Sequence, residues 1–326
     1  MNLNKNVNWG ILGCGKIAHK FAEDLLTVPN ATLYAVASRT EKKAQDFGNS
    51  YGVTNNYGSY NQLTKDPNID VIYIATPHVF HYENTLLCLN HKKAVLCEKP
   101  FAMNQEQVEE MIQTAIKNNV FLMEALWTYF LPHYKYVLDL IASKKFGAVK
   151  SLQADFGFAA TFSPNERLFN KALGGGSLLD VGIYPLFAAL SIIGYPEHIT
   201  AKASFGKTQV DETCTVDLLY KNEVNASLHC AITKKTKTEA IIELENGTIH
   251  INSRFHEPSS ITIITENESK LIEFEVKTNG YSYEAIHVQE MILKNRTEST
   301  IMTFEKSRQL IKLLDTVRAK IGLSYT

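Results

Sequence analysis

Over the first part of the chain, short apolar runs alternate with longer stretches whose apolar residues return at helical spacing. "VNWGILG" reads as a strand and "IAHKFAEDLLTV" as an amphipathic helix. "ATLYAVAS", "VIYIAT", "KAVLCEK" and "VFLMEA" read as four further strands. Between them lie the helical patterns "TEKKAQDFGNSYG", "FHYENTLLCLNH" and "NQEQVEEMIQTAIKNN". Near-continuous apolar strands separated by crossover helices predict a doubly wound parallel sheet covered on both faces. The pattern changes after about residue 125. "HYKYVLDLIASKK" predicts a helix and "AVKSLQADFGFAA" a half-exposed strand. "SLLDVGIYPLFAALSIIG" predicts a helix with Pro185 in its interior, hence a kink or an early stop. From about residue 198 to 276 strand follows strand, with turn signals such as Asn246-Gly247, which predicts an open, mostly antiparallel sheet. Two helices near 283 to 294 and 303 to 320 close the chain. The expected organisation is α/β throughout. Residues 1–124 form a nucleotide-binding domain and 125–326 an α/β substrate and oligomerisation domain, joined at "EALWTYFLP" without a flexible tether.

Composition narrows the function classes. The chain has 326 residues, 45% of them hydrophobic, which is enough for two cores. Lys and Arg (33) balance Asp and Glu (34), so there is no global basic field for nucleic acid. The five cysteines form no C-x-x-C pair, which suits free thiols in a reducing compartment. The N-terminal stretch shows no secretory h-region, and no apolar run approaches the ~20 residues that span a bilayer. The expectation is a soluble, cytoplasmic protein that binds neither membrane nor nucleic acid.

Gly13-Cys14-Gly15-Lys16-Ile17-Ala18 follows the first strand and opens the first helix. This is the G-x-G-x-x-A form of the Rossmann dinucleotide fingerprint. Gly13 permits the turn, Gly15 admits the pyrophosphate, and the first-turn N–H groups at Lys16 and Ile17 meet the anion. An NAD site commonly ends the second strand on a carboxylate for the ribose hydroxyls. Here that strand ends Ala37-Ser38-Arg39-Thr40. Ser38 and Arg39 suit a 2′-phosphate, which favours NADP(H). With Arg39 as a solvated helix-start residue, NAD(H) serves as well. Thr76 and Pro77 sit where a loop crosses the cofactor. His78 and His81 have metal-ligand spacing but lack a third ligand, so His81 is read as orienting that loop and no metal is expected.

"VLCEKPFAMN" ends a buried strand on Glu98-Lys99-Pro100. The proline restricts Lys99 to extended geometry at the sheet edge where ligands bind. In "GGGSLLDVGIYP", Ser177 is placed to cap the following helix, and Asp180 and Tyr184 share one of its faces. That pair either faces a pocket or serves a turn and the core.

These stretches, with "ATPHVFHYE" and "MEALWTYFLP", resemble in content and order the Gfo/Idh/MocA oxidoreductase family, in particular its dihydrodiol dehydrogenase type. The resemblance spans residues 10 to 185. It implies a Rossmann domain followed by an α/β domain whose open sheet forms a homodimer or higher homo-oligomer. It also implies a cofactor bordered by Glu98 and Lys99, and a catalytic set of Lys99, Asp180 and the residue four later. Many members carry histidine there; this chain has Tyr184. Related members often place arginine at the position of Tyr129. The implied reaction is hydride transfer between NADP(H), or NAD(H), and a CH–OH or C=O carbon of a small-molecule substrate: a sugar, polyol, cyclic diol or small dicarbonyl. Tyr184, with its pKa lowered by the Lys99 ammonium, or Lys99 itself moves the proton. Trp127, Phe130, Phe156, Phe158 and Phe162 are candidate pocket walls, with Phe156 and Phe158 on one strand face. Two other readings are a non-catalytic NAD(P)-binding sensor and a glycosidase-like enzyme that retains its NAD.

Overall fold

A computed structural model describes residues 5–325. The chain divides into two compact units, residues 1–130 with 276–308, and residues 131–275 with 309–326.

The first unit is built on β1 (Val7–Leu12), α1 (Lys16–Leu25), β2 (Ala31–Ala37), α2 (Glu41–Tyr51), β3 (Asn55–Tyr57), α3 (Tyr60–Lys65), β4 (Val71–Ile74), α4 (His81–Asn90), β5 (Ala94–Glu98), α5 (Gln105–Asn118) and β6 (Leu122–Ala125). Its six strands are parallel, in the order β3-β2-β1-β4-β5-β6. The chain reverses direction of growth between β1 and β4, which opens a crevice above the carboxyl ends of those strands. β4, β5 and β6 are buried at every position, as strands covered on both faces must be. On α1, Ala18, Phe21, Ala22 and Leu25 recur at 3- and 4-residue spacing and are buried. Phe21 stacks on Tyr73 with ring centroids 3.7 Å apart.

The second unit begins with α6 (Pro132–Ala142) and β7 (Val149–Gly157), and its helical layer ends in α7 (Ile183–Ile192). Then come β8 (His198–Phe205), β9 (Asp211–Leu219), β10 (Asn225–Ala231), β11 (Ala240–Leu244), β12 (Gly247–Ile251), β13 (Ile261–Ile264) and β14 (Ser269–Ile272). The eight strands run in the order β14-β13-β12-β11-β7-β10-β9-β8. All neighbours are antiparallel except β7 and β10. One face is apolar and buried, with Leu152, Ala154, Val216, Leu228 and Ile242. The other is polar and open on β8 to β10, where Lys202 pairs with Thr215 and Ser227 with Asp217.

Three sequence expectations need amendment. A cut after residue 124 does not match this division, because residues 276–308 return to the first unit through α8 (Ser282–Leu293). Asp24, buried in α1, accepts the backbone N–H groups of Asn279, Tyr281 and Ser282. Trp9 donates its indole N–H to Gln289. The last helix, α9 (Phe304–Ile321), carries the second boundary. Next, Pro185 does not stop its helix. It lies in the first turn of α7, directly after a wide π turn over Leu178–Gly182. The wider turn absorbs the bond that proline cannot donate. Finally, the helical stretch Lys171–Ile192 is long and apolar enough to cross a membrane. It is 89% buried inside the protein over its most apolar window and serves as a core helix.

Candidate active site

In the first unit, the β1–α1 turn meets the demands of a dinucleotide. Gly13 has φ +100°, and a Cβ there would lie 3.1 Å from the Ala75 carbonyl and the Thr76 methyl. At Gly15 nothing comes nearer a Cβ than 3.9 Å, so its backbone is open to an incoming group. No side chain caps α1, and its first turn holds no acidic residue. The N–H groups of Lys16 and Ile17 and the positive helix end are therefore left for an anion. Burial pushes the Cys14 thiol up to about 11 against the pull of the Lys43 ammonium. That places a basic side chain, unnoticed in the sequence, beside the fingerprint. Ser38 is buried and donates its N–H to Tyr57. Arg39 is exposed, and its charge opposes the burial that raises the Tyr60 phenol. The end of β2 thus carries Arg39 and Lys43 and no acid, a corner suited to a phosphate. These groups fit NAD(P), with the pyrophosphate on Gly15 to Ile17 and Ser38 and Arg39 at the adenosine end.

His81 ties two loops of this crevice together. Its Nε2 lies 2.8 Å from the Thr76 carbonyl and its Nδ1 2.8 Å from the Pro100 carbonyl. Both contacts are hydrogen bonds at once only when the ring is doubly protonated. Asn84 donates to the Thr76 hydroxyl, which fixes the same loop ahead of Pro77. The rings of His78 and His81 stand edge to face at 6.4 Å. Among the described residues, no group of three or more His, Cys, Asp or Glu side chains is arranged to hold a metal.

Lys99 follows β5 and is half-buried, and its peptide bond to Pro100 is cis. Its N–H is donated to Glu98 Oε2 at 3.2 Å. Glu98 Oε1 accepts a short hydrogen bond from the Tyr73 hydroxyl. Two further carboxyls lie behind this point, neither marked by a motif. Glu124, at the end of β6, accepts from the Phe101 N–H at 3.0 Å and the Ser307 hydroxyl at 2.7 Å. Burial outweighs these donors and pushes its pKa up to about 7, with Glu98 adding to the rise and the Lys99 ammonium opposing it. Glu284, on α8, is fully buried, and among the described residues neither carboxyl oxygen has a hydrogen-bond partner. Burial first, then the charges of Glu98 and Asp24, raise its pKa far above the usual range. The E-K-P segment thus rests on a cluster of acids, of which Glu284 is held neutral. An acid inside the apolar run "VFLMEA" was the available signal for Glu124. Glu284 gave none.

In the second unit, Ser177 does not cap its helix. Its hydroxyl donates to Asp211 Oδ2 at 2.7 Å, and the same oxygen takes the Leu178 N–H at 2.6 Å. The cap is therefore supplied by β9. Burial pushes the Asp211 carboxyl up to about 6 in spite of these donors. Gly176 has φ +123°, and a Cβ there would stand 2.1 Å from Asp211 Oδ1. Gly182 allows the π turn to lie on the sheet, since its Cβ would come 2.7 Å from Cys230 Sγ. Asp180 projects from this turn and accepts from Arg167 Nη1 at 2.6 Å. Arg167 lies in "NERLFN", where nothing distinguished it from a surface cation. Tyr184, one α-turn later, is 7% exposed. Its ring packs on Phe156 at 5.6 Å and on His256 at 4.8 Å.

The five aromatic candidates separate. Phe156 and Phe158 lie together, with ring centroids 6.3 Å apart. Phe162 is 46% exposed and meets Phe169 edge on. Trp127 and Phe130 are buried in the first unit, Trp127 face to face on Tyr281 at 4.2 Å and Phe130 against His287.

Residues 7–126 match the model of the oxidoreductase family with an NAD-binding Rossmann fold, and residues 134–250 match the GFO/IDH/MocA C-terminal domain. The chain is 38% identical to a trans-1,2-dihydrobenzene-1,2-diol dehydrogenase of Xenopus tropicalis, covering 97% of this chain and 98% of the relative. The Homo sapiens protein of that name is 34% identical, with 98% of each chain covered. Among solved structures, a 3-ketoreductase from Actinomadura kijaniata, in complex with NADP and TDP-benzene, matches with a TM-score of 0.89 at 22% identity, over 97% of this chain and 98% of that one. An aldose-aldose oxidoreductase from Caulobacter crescentus, complexed with glycerol, matches with a TM-score of 0.89 at 23% identity over 98% of each. At these identities the two structures show the shared fold. The glycine turn, the E-K-P segment and both domain matches lead to one conclusion: the chain belongs to the Gfo/Idh/MocA oxidoreductases and carries their NAD(P)-binding Rossmann unit.

Proposed function

We propose that the protein is an NADP(H)-preferring dehydrogenase that interconverts a vicinal diol or sugar CH–OH group and the corresponding carbonyl. The observation that carries this reading is Lys99, fixed after β5 at the carboxyl edge of a sheet whose glycine turn is open to a dinucleotide. The diol assignment draws on relatives named trans-1,2-dihydrobenzene-1,2-diol dehydrogenase at 34% to 38% identity over nearly the full chain. A bound nicotinamide supplies the hydride acceptor or donor. The chain supplies position and proton handling. Lys99 presents a cation that polarises the substrate oxygen. Tyr184 takes the hydroxyl proton during oxidation and returns it during reduction. Asp180, held by Arg167, orients a substrate hydroxyl. Phe156 and Phe158 form an apolar wall for the carbon skeleton.

The homodimer that the family resemblance implies is a further part of this reading, which light scattering on the purified chain tests. Activity is tested by following NADP+ and NAD+ reduction at 340 nm with trans-1,2-dihydrobenzene-1,2-diol, aldoses, polyols and, in reverse, small dicarbonyls. The expected result is turnover of a diol or sugar, faster with NADP+. Tight NADPH binding with no turnover across the panel would favour the non-catalytic reading.

A further inference from the structure

The segment Arg254 to Glu257 belongs to no recognised motif, yet it meets the candidate phenol. His256 is 4% exposed, and its ring lies 4.0 Å from Phe156, nearly parallel, and 4.8 Å from Tyr184. On its other side, His256 Nε2 is 3.4 Å from Glu257 Oε1. Arg254 donates to both oxygens of Glu257, which fixes the carboxylate. Burial would raise that carboxyl, but hydrogen bonds from His256 and Arg254, with their charges, hold it down at about 2. It is an anion at any working pH.

Another titratable group packed here is His133 of α6. Its Nε2 meets the Phe255 carbonyl at 3.0 Å, and burial lowers its pKa to about 4, so it stays neutral near pH 7. The Glu257 carboxylate favours a positive charge on His256 against the burial of its ring, and the neutral His133 adds no opposing charge. A cation against a phenol ring in a water-poor cluster favours the phenolate over the phenol.

We propose that His256 is a positioning residue for Tyr184: anchored by Glu257 and stacked on Phe156, it fixes the phenol ring and sets a titratable cation beside it. The inference rests on the assignment of Tyr184 as the proton-transfer group. His256 keeps its own proton throughout. The substrate hydroxyl proton passes to the phenolate oxygen, and the imidazolium acts only through its charge and its packing.

Two measurements on the full chain test this. In protein labelled with 13C at histidine Cε1, the His256 resonance is assigned by its loss in His256→Phe. Its titration is then compared with that in Glu257→Gln, a change at a partly exposed side chain. The proposal expects the imidazole midpoint to fall by about one pH unit in Glu257→Gln. It also expects that midpoint to fall in Tyr184→Phe, where the phenolate that helps hold the proton on His256 is gone. An unchanged midpoint in either variant overturns it. In turnover of a diol with NADP+, the pH of half-maximal kcat/KM should rise by about one unit in His256→Phe, which keeps the aromatic stack. An unshifted profile in that variant reduces His256 to packing and overturns the proposal. Failure of the wild-type chain to turn over any substrate would strike the dehydrogenase reading instead, while the resonance titration still decides the His256–Tyr184 pairing.

Discussion

Lys99 and the acids beneath it illustrate how single residues carry this account. Glu124 is 2% exposed, and burial pushes its carboxyl up to about 7 from the usual 4.5. A raised carboxyl stabilises the fold fully below the unfolded value of 4.5, and that stabilisation is lost as pH rises through 7. Glu124→Gln removes this term. The stability difference between wild type and variant should therefore change by about 3 kcal/mol between pH 4 and pH 8, read from urea unfolding. A difference flat across that range would contradict the assignment. Arg39 makes a second residue-level prediction. Arg39→Ala should weaken NADP(H) by roughly tenfold while leaving NAD(H) nearly unchanged, measured by nicotinamide fluorescence. The sequence made Arg39 and Lys99 legible because their meaning comes from position at a strand end. Arg167, Asp211 and His256 were not legible, because each takes its role from a partner distant in the chain: Asp180, Ser177 and Tyr184.

At the level of elements, two turns position the candidate chemistry. The β1–α1 turn depends on a positive φ at Gly13 and on contact with Ala75 and Thr76. Gly13→Ala forces a side chain into a left-handed backbone and against both neighbours, so NADPH affinity should fall by at least about tenfold. Near-normal affinity would show that the turn does not seat the cofactor. The π turn before α7 lets Pro185 sit inside a continuous helix while Asp180 and Tyr184 stay one turn apart. Helical periodicity revealed the helix but not the wide turn, since an extra residue per turn leaves no mark in an apolar run this dense. Short polar elements escaped for the opposite reason. β3, "NNY", has no apolar alternation and exists because it pairs with β2. Asp211 in place of Ser177 as the helix cap shows the same limit, because a cap donated across the sheet has no local spacing to betray it.

For the molecule as a whole, the chain's return to its first unit matters most. Asp24 gathers three backbone N–H groups from residues 279 to 282, and Gln289 bonds both Trp9 and Pro29. Asp24→Ala strands those donors in a buried place, at a cost of about 3 kcal/mol. Loss of hydrogen-exchange protection should concentrate in residues 276–308, and uniform loss over the chain would contradict this role. Reading the chain in order made the parallel sheet and the strand-rich sheet evident from pattern alone. It could not show that α8 belongs with the first unit, since that depends on one buried acid in α1 and one buried indole in β1. The central claim, that this scaffold transfers hydride with Lys99 as an essential cation, meets its most direct test in Lys99→Met. NADPH fluorescence titration should show binding within about tenfold of wild type, while kcat with the preferred diol or sugar falls at least about a hundredfold. Turnover close to wild type in that variant would contradict the account.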